Sequence, residues 1–216
     1  MDKKLILGIV AVVLVAFGGW YYMSNNSTTN ADVVAKVNGQ EITKQNLEDT
    51  KKRLTSGQDL SGLDEATMSQ LETQALETLI SAELIKQAAR EAQISVTDEQ
   101  VSTELTSIKG QFQDDATYQQ ALVLQGITEQ KLTEDLANDL LINAYITQKV
   151  DFSSITVTDE EIQSLYDQEK EINPEVAPLD SLSDQIRAFV TQQKQQEIIA
   201  AHVAELRAAA EIEILI

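Results

Sequence analysis

Val33-Val34-Ala35-Lys36-Val37-Asn38-Gly39-Gln40-Glu41-Ile42-Thr43 is the stretch on which the architecture turns. Val33 to Val37 is apolar apart from Lys36 and rich in β-branched valine, which predicts a strand. Asn38-Gly39 is a strong tight-turn signal, because both residues tolerate the positive φ angles that a two-residue hairpin needs, so the chain returns through Glu41-Ile42. Thr43 then has the side chain to cap a first helix, with Leu47 and Leu54 on its inner face. A hairpin cannot stand alone in water. The one other strand-like segment is the terminal Glu211-Ile212-Glu213-Ile214-Leu215-Ile216, which alternates acidic and apolar residues at its start. Its expected partner is Val33 to Val37, which would bring both ends of one domain into a common sheet.

Between these strands the apolar spacing is helical. After a loop marked by Gly57 and Gly62, Asp64 is placed to cap a long helix with Met68, Leu71, Ala75, Leu76, Leu79, Ile80, Leu84 and Ile85 on its stripe. Thr97 and Gln100 form a capping box, with Asp98 and Glu99 at the positive end of the helix dipole, and Val101, Leu105, Ile108 and Phe112 follow at helical spacing. A short helix is expected from about Asp115 to Gln125, stopped by Gly126. Thr128 then caps another carrying Leu132, Leu136, Leu140 and Tyr145. Ile155-Thr156-Val157-Thr158-Asp159-Glu160-Glu161-Ile162 repeats Ile94 to Val101 almost residue for residue, 61 positions later. Two copies of one capping box are weak evidence for a true repeat, and convergence on good helix-start chemistry is preferred to duplication. Asn173-Pro174 through Pro178 interrupts the helical pattern. From Asp180 a long amphipathic helix is expected to about Ala210, with Leu182, Ile186, Phe189, Val190, Ile199, Val203 and Leu206 inward.

Ahead of the hairpin, Asp2, Lys3 and Lys4 precede an uncharged run from Leu5 to Met23 that ends in Trp20, Tyr21 and Tyr22. Nineteen helical residues reach about 28 Å, the thickness of a bilayer's hydrocarbon core. The lysines favour a cytoplasmic amino terminus and the aromatic trio suits the opposite interface, which predicts a single-pass anchor in the cytoplasmic membrane with a periplasmic or extracellular remainder. The rival for this segment is a cleaved signal peptide, since Ala16-Phe17-Gly18 offers small residues at peptidase spacing. The expected organisation is a cytoplasmic stub and transmembrane signal anchor over 1–23, a polar linker over 24–31, and one domain over 32–216.

The 216 residues carry 16 Lys and Arg against 35 Asp and Glu, a formal charge of −19. Such a surface repels phosphate backbones and anionic headgroups, which excludes nucleic-acid partners. With no cysteine, the chain has no acylated lipoprotein anchor, disulfide, thiol nucleophile or thiolate metal site. No phosphate loop, Ser-His-Asp arrangement or calcium loop appears, so no cofactor, metal or catalytic residue is expected. His202, the sole histidine, lies beside the packed stripe of the last helix and reads as structural. Asp98-Glu99, Asp114-Asp115 and Asp159-Glu160-Glu161 sit in first helical turns, where the helix dipole explains them without acid-base chemistry.

The stretch from Val33 to Thr43 resembles the opening of the SurA amino-terminal chaperone domain family, shared with the PrsA-like and PpiD-like foldases of bacterial envelopes. The resemblance continues through Ala75 to Ile80, Glu83-Leu84-Ile85, Ile94 to Val101, Gln125 to Thr128 and Ile155 to Ile162. It extends to Gln185-Ile186-Arg187, Lys194-Gln195-Gln196, Leu206-Arg207-Ala208 and Ala210 to Leu215, in that order. It implies a mainly α fold: a SurA N-terminal-like helical chaperone domain with a small β-sheet pairing N- and C-terminal strands, here preceded by one transmembrane helix. Many relatives insert a parvulin-type prolyl isomerase domain before the final long helix. Here only Asp167 to Leu179 occupies that place, whereas even a small domain takes roughly 50 residues. The resemblance therefore implies a chaperone without isomerase activity, which binds unfolded or nascent secreted and envelope polypeptides and uses no nucleotide. A helical scaffold or adaptor for one envelope complex, or a relative that keeps isomerase activity, are the alternatives. Whether the chain forms a homo-oligomer is open. Phe112, Tyr118, Tyr145, Phe152 and Phe189 are the candidate client contacts, weighed against the ordinary core role of helical aromatics.

Overall fold

A computed structural model describes residues 32–55 and 62–216. The segment from Leu5 to Met23, expected as an anchor, lies outside the described residues, as does Gly57. No helix among the described residues is long and apolar enough to cross a membrane.

The hairpin forms as its sequence predicts. Strand β1 (Val33–Val37) pairs antiparallel with β2 (Gln40–Thr43), and Val37 faces Gln40 across the turn. Asn38 (φ 50°) and Gly39 (φ 80°) are both left-handed, the conformation that lets a two-residue turn follow the strand twist. Thr43 caps α1 (Lys44–Leu54) in a capping box closed by Asn46. Asp64 caps α2 (Glu65–Glu91), and Thr97 with Gln100 starts α3 (Asp98–Lys109). Then come α4 (Asp115–Gln125), α5 (Glu129–Lys149), α6 (Asp159–Ile172) and α7 (Leu179–Ala208). Thr158 and Glu161 close a third capping box at α6. The chain ends in β3 (Ile212–Ile214), which pairs antiparallel with β1. The sheet order β2-β1-β3 makes β1 the central strand.

The described residues fall into two compact units. The first holds the described residues up to Ile146 together with Glu205–Ile216. Its core joins Val34, Ala35, Val37 and Ile42 of the sheet to Leu47 of α1 and to Ala75, Leu76, Leu79, Ile80 and Leu84 of α2, with Leu206 and Ile212 packed against it. Helix α2 is central: from Leu79 to Lys86 only Ser81 escapes full burial. The interior therefore encloses a charged pair that an apolar stripe does not reveal. Glu83 and Lys86 are both 0% exposed, with Lys86 Nζ 2.7 Å from the Glu83 carboxylate. Burial pushes the Lys86 ammonium below its ordinary value, the Glu83 charge partly restores it, and the Arg90 and Lys131 charges lower it further.

The same network reaches the turn. Gln87 donates to Glu83 at 2.9 Å and to the Val37 carbonyl at 3.0 Å, and Asn38 Nδ2 donates to Gln87 at 2.7 Å. Asn38 also exchanges bonds with Glu211, its amide donating to the Glu211 carbonyl and its Oδ1 accepting from the Glu211 amide, each at 2.8 Å. One turn residue thus fastens the hairpin, α2 and the terminal strand together.

The second unit runs from Thr147 to Ala204. Val150, Ile162, Tyr166 and Val190 are its buried apolar residues. The expected inward stripe of α7 is a point of difference: Val190 is buried, Leu182, Ile186, Ile199, Val203 and Leu206 are half-buried, and Phe189 is 41% exposed. Within its own unit α7 is bonded to α6 through Arg187 and Lys194, and the 14 residues of α6 reach about 21 Å, less than half the roughly 45 Å of the 30-residue α7.

Candidate functional site

The large apolar residues most open to solvent lie at helix ends. Gly126 adopts φ 69° and closes α4: its amide donates to the Val123 carbonyl at 3.0 Å, and the Ile127 amide donates to the Leu122 carbonyl at 3.1 Å. This pair of bonds is a Schellman motif, which turns Leu122 inward. Leu122 is 6% exposed, while the next two residues, Val123 and Leu124, are 76% and 79% exposed. Two adjacent large apolar side chains are thus left open to water at one helix terminus. In the second unit Ile172, the last residue of α6, is 82% exposed.

The five aromatic candidates separate by burial. Tyr118 and Tyr145 are inside, at 1% and 5% exposure. Phe112 and Phe152 are half-buried, and Phe189 presents the most open ring. Tyr118 fastens three elements of the first unit: Phe112 meets it edge-on with ring centroids 5.5 Å apart, Lys109 Nζ lies 5.1 Å from its centroid, and Lys109 bonds Glu129 at 2.8 Å. Burial pushes the Tyr118 phenol up, and the neighbouring Glu129 charge adds to this. The bond from Lys109 is the main cause that lowers the Glu129 carboxyl. Val123 and Leu124 escaped the aromatic reading; the Gly126 stop, two residues beyond them, was the signal that located them at a helix end.

The twin helix-start phrases are both built as expected, with nearly equal cap angles: φ −88°, ψ 154° at Thr97 and φ −86°, ψ 160° at Thr158. The second is additionally clamped by α7. Arg187 donates to the Val157 carbonyl and to Asp159, each at 2.9 Å, and Lys194 donates to the Thr156 carbonyl and to Glu161. The Lys194 bond, followed by the Thr158 cap, lowers the Glu161 carboxyl below its ordinary 4.5. A carboxylate with a depressed folded value adds stability above its unfolded value and loses it as pH falls through the folded one. Hydrogen exchange at Thr158, whose amide donates to Glu161 at 2.9 Å, should therefore speed up as pH drops below about 4.5 relative to the intrinsic rate. Glu161→Gln should flatten that dependence.

The acidic face of α6, formed by Asp159, Glu160, Asp167 and Glu171 with Gln163 between them, is an open surface and not a cavity. Among the described residues no three His, Asp or Glu side chains converge to hold a metal ion. His202 is half-buried on α7. Between α6 and α7 the connection is Asn173 to Pro178, six residues.

Comparison with known proteins places these features in a family. The SurA-like N-terminal domain family matches residues 2–146. The chain is 28% identical over 184 residues to the foldase protein PrsA of Caldanaerobacter subterraneus, covering 79% of this chain and 53% of that protein. It is 31% identical over 150 residues to the periplasmic chaperone PpiD of Escherichia coli, covering 63% of this chain and 23% of that one. The chain thus spans about half the length of the PrsA relative and under a quarter of PpiD. A solved structure from work on the SurA-like chaperones PEB4 and Cj1289 of Campylobacter jejuni superposes with a TM-score of 0.52 over 85% of this chain and 98% of its own, at 12% identity, a likeness of fold alone. By the family match over most of its length, this chain belongs to the SurA-like N-terminal domain family.

Proposed function

We propose that this protein is a membrane-anchored extracytoplasmic chaperone that holds unfolded secreted or envelope polypeptides and performs no chemistry on them. The observation that carries the reading is the family match, together with similarity to a protein named a foldase and to one named a periplasmic chaperone. Leu5 to Met23 supports the anchor and Ser24 to Ala31 the linker, with residues 32–216 as the chaperone domain. The six-residue connection from α6 to α7 supports binding without an isomerase module at that place. Val123, Leu124, Phe189 and Ile172 supply apolar contact without rearrangement of a core. Each site is small, so binding is weak and divided over several points, and the client leaves by folding. The acidic exterior keeps a loaded chaperone soluble and favours clients with basic segments.

Light scattering from an aggregating unfolded client tests this, with the full chain held in a lipid nanodisc. Stoichiometric chain should suppress the aggregation, and undiminished scattering would refute the reading. Val123→Ser with Leu124→Ser should weaken suppression several-fold while the melting temperature stays within about 2 °C, because both residues are exposed. Recovery of one folded partner in fixed stoichiometry, in place of many clients, would replace the chaperone by an adaptor.

A further inference from the structure

Among the described residues, strand β3 is the outer strand of the sheet, and it is built in a way that selects what pairs with it. Its backbone groups alternate between two directions. The Glu211 carbonyl accepts from Asn38 and the Leu215 amide donates to Val34, while Glu213 sits opposite Lys36. Odd-numbered residues therefore bond to β1, and the N–H and C=O groups of Ile212 and Ile214 point to the open edge. The other outer strand, β2, carries no large apolar side chain that is exposed; its Ile42 is fully buried. Ile214 of β3 and the following Leu215 and Ile216 are 51%, 52% and 59% exposed.

The side chains alternate too. Ile212, packed against the core, shares its face with Ile214 and Ile216, so the core side of the sheet continues to the open edge. The opposite face carries a row of charges running across the sheet. Glu41 pairs with Lys36, whose Nζ lies 3.9 Å from it, and Lys36 pairs with Glu213. The signs run negative, positive, negative from β2 to β3, and the position beyond Glu213 calls for a cation.

We propose that the open edge of β3 takes an extended client segment as a fourth strand, in which Lys or Arg alternates with β-branched apolar residues. This rests on the chaperone reading above and names the kind of segment that one part of the surface recognises. The apolar residues lie beside Ile214 on the core side, a cation lies beside Glu213 on the other, and Ile212 and Ile214 supply the ladder bonds. The same charge argues against a second copy as occupant. Antiparallel self-pairing that uses all of Ile212–Ile214 sets Glu213 opposite Glu213, between two chains of net charge −19.

The test uses the full chain in a nanodisc and two ten-residue peptides of the same composition, one alternating valine and lysine, the other with valines and lysines in separate blocks. The alternating peptide should slow hydrogen exchange at the Ile212 and Ile214 amides and bind about tenfold more tightly than the blocked one. Ile214→Pro, which removes an outward donor and leaves the residues bonded to β1 in place, should abolish that preference. Equal binding of both peptides, or unchanged exchange at Ile212 and Ile214 in the unmodified chain, would overturn the proposal even if aggregation of an unfolded client is still suppressed. Loss of that suppression in the unmodified chain would instead remove the chaperone reading itself. Slowed exchange without peptide that deepens with protein concentration would assign the edge to a second copy and also overturn the proposal.

Discussion

Replacing Glu83 by alanine should destabilise the first unit by about 3 to 5 kcal/mol, read as a lower denaturant midpoint. The substitution leaves the Lys86 ammonium fully buried without its 2.7 Å partner, and it also removes an acceptor from Gln87 and the carboxylate 3.6 Å from Arg90. The loss should depend on pH in a defined direction. Burial already lowers Lys86 below 10.5, and without Glu83 the folded value falls further. Between that folded value and 10.5 the unfolded chain binds more protons than the folded one, so the variant's stability rises with pH there. Its deficit is greatest below the folded value, where the ammonium stays charged. Glu83→Leu combined with Lys86→Met should recover most of the loss, because no charge then needs burial. A cost under about 1 kcal/mol for Glu83→Ala alone would show that water reaches the pair.

Deleting Glu211 to Ile216 should lower the melting temperature of the first unit by about 6 to 12 °C, the effect of roughly 3 kcal/mol in a domain of this size. The deletion removes both bonds between Asn38 and Glu211, the Leu215 bond to Val34 and the pairing of Lys36 with Glu213. At about 1 kcal/mol net for each bond, together with the packing of Ile212 against the core, the sum reaches that range. Central strand β1 would become an edge. An unchanged transition would mean that the terminal strand contributes nothing to the core despite its register. Arg207, which forms a forked pair with Glu77 of α2, stays in the deletion and holds the end of α7 to the first unit's helix.

These two sites mark where the sequence could be read and where it could not. The hairpin, its turn, all three capping boxes or caps at Thr43, Thr97 and Thr158, and the stop at Gly126 depend on interactions three to five residues apart, so local chemistry specifies them. The Thr43 box was legible only in half: Thr43 stands out as a cap, but its partner Asn46 is not the Glu or Gln of the usual pattern. The pairing of the terminal strand with Val33–Val37 was legible because the hairpin was the only other strand region that the sequence offered it.

The burial of Glu83 and Lys86 was not legible. On a helix with one wet face, charged residues at Glu83 and Lys86, beside Ile80 and Ile85, read as solvated, yet α2 is enclosed on every side from Ala82 to Lys86. The α7 stripe failed in the opposite sense, since seven apolar positions promise a covered face and of these only Val190 is buried. The candidate aromatics followed the same rule: the five were named by chemical type, and exposure divided them, with Tyr118 inside and Phe189 open.

Sequence alone determined which segments are helix or strand, where most of them start and stop, the acidity of the surface, and the family likeness, because each is carried by residues near one another in the chain or by composition. Only the tertiary structure decided which faces are covered, which charges lie without water and which sheet edge is open. Burial depends on the length and placement of elements far apart in sequence, and no local pattern encodes it.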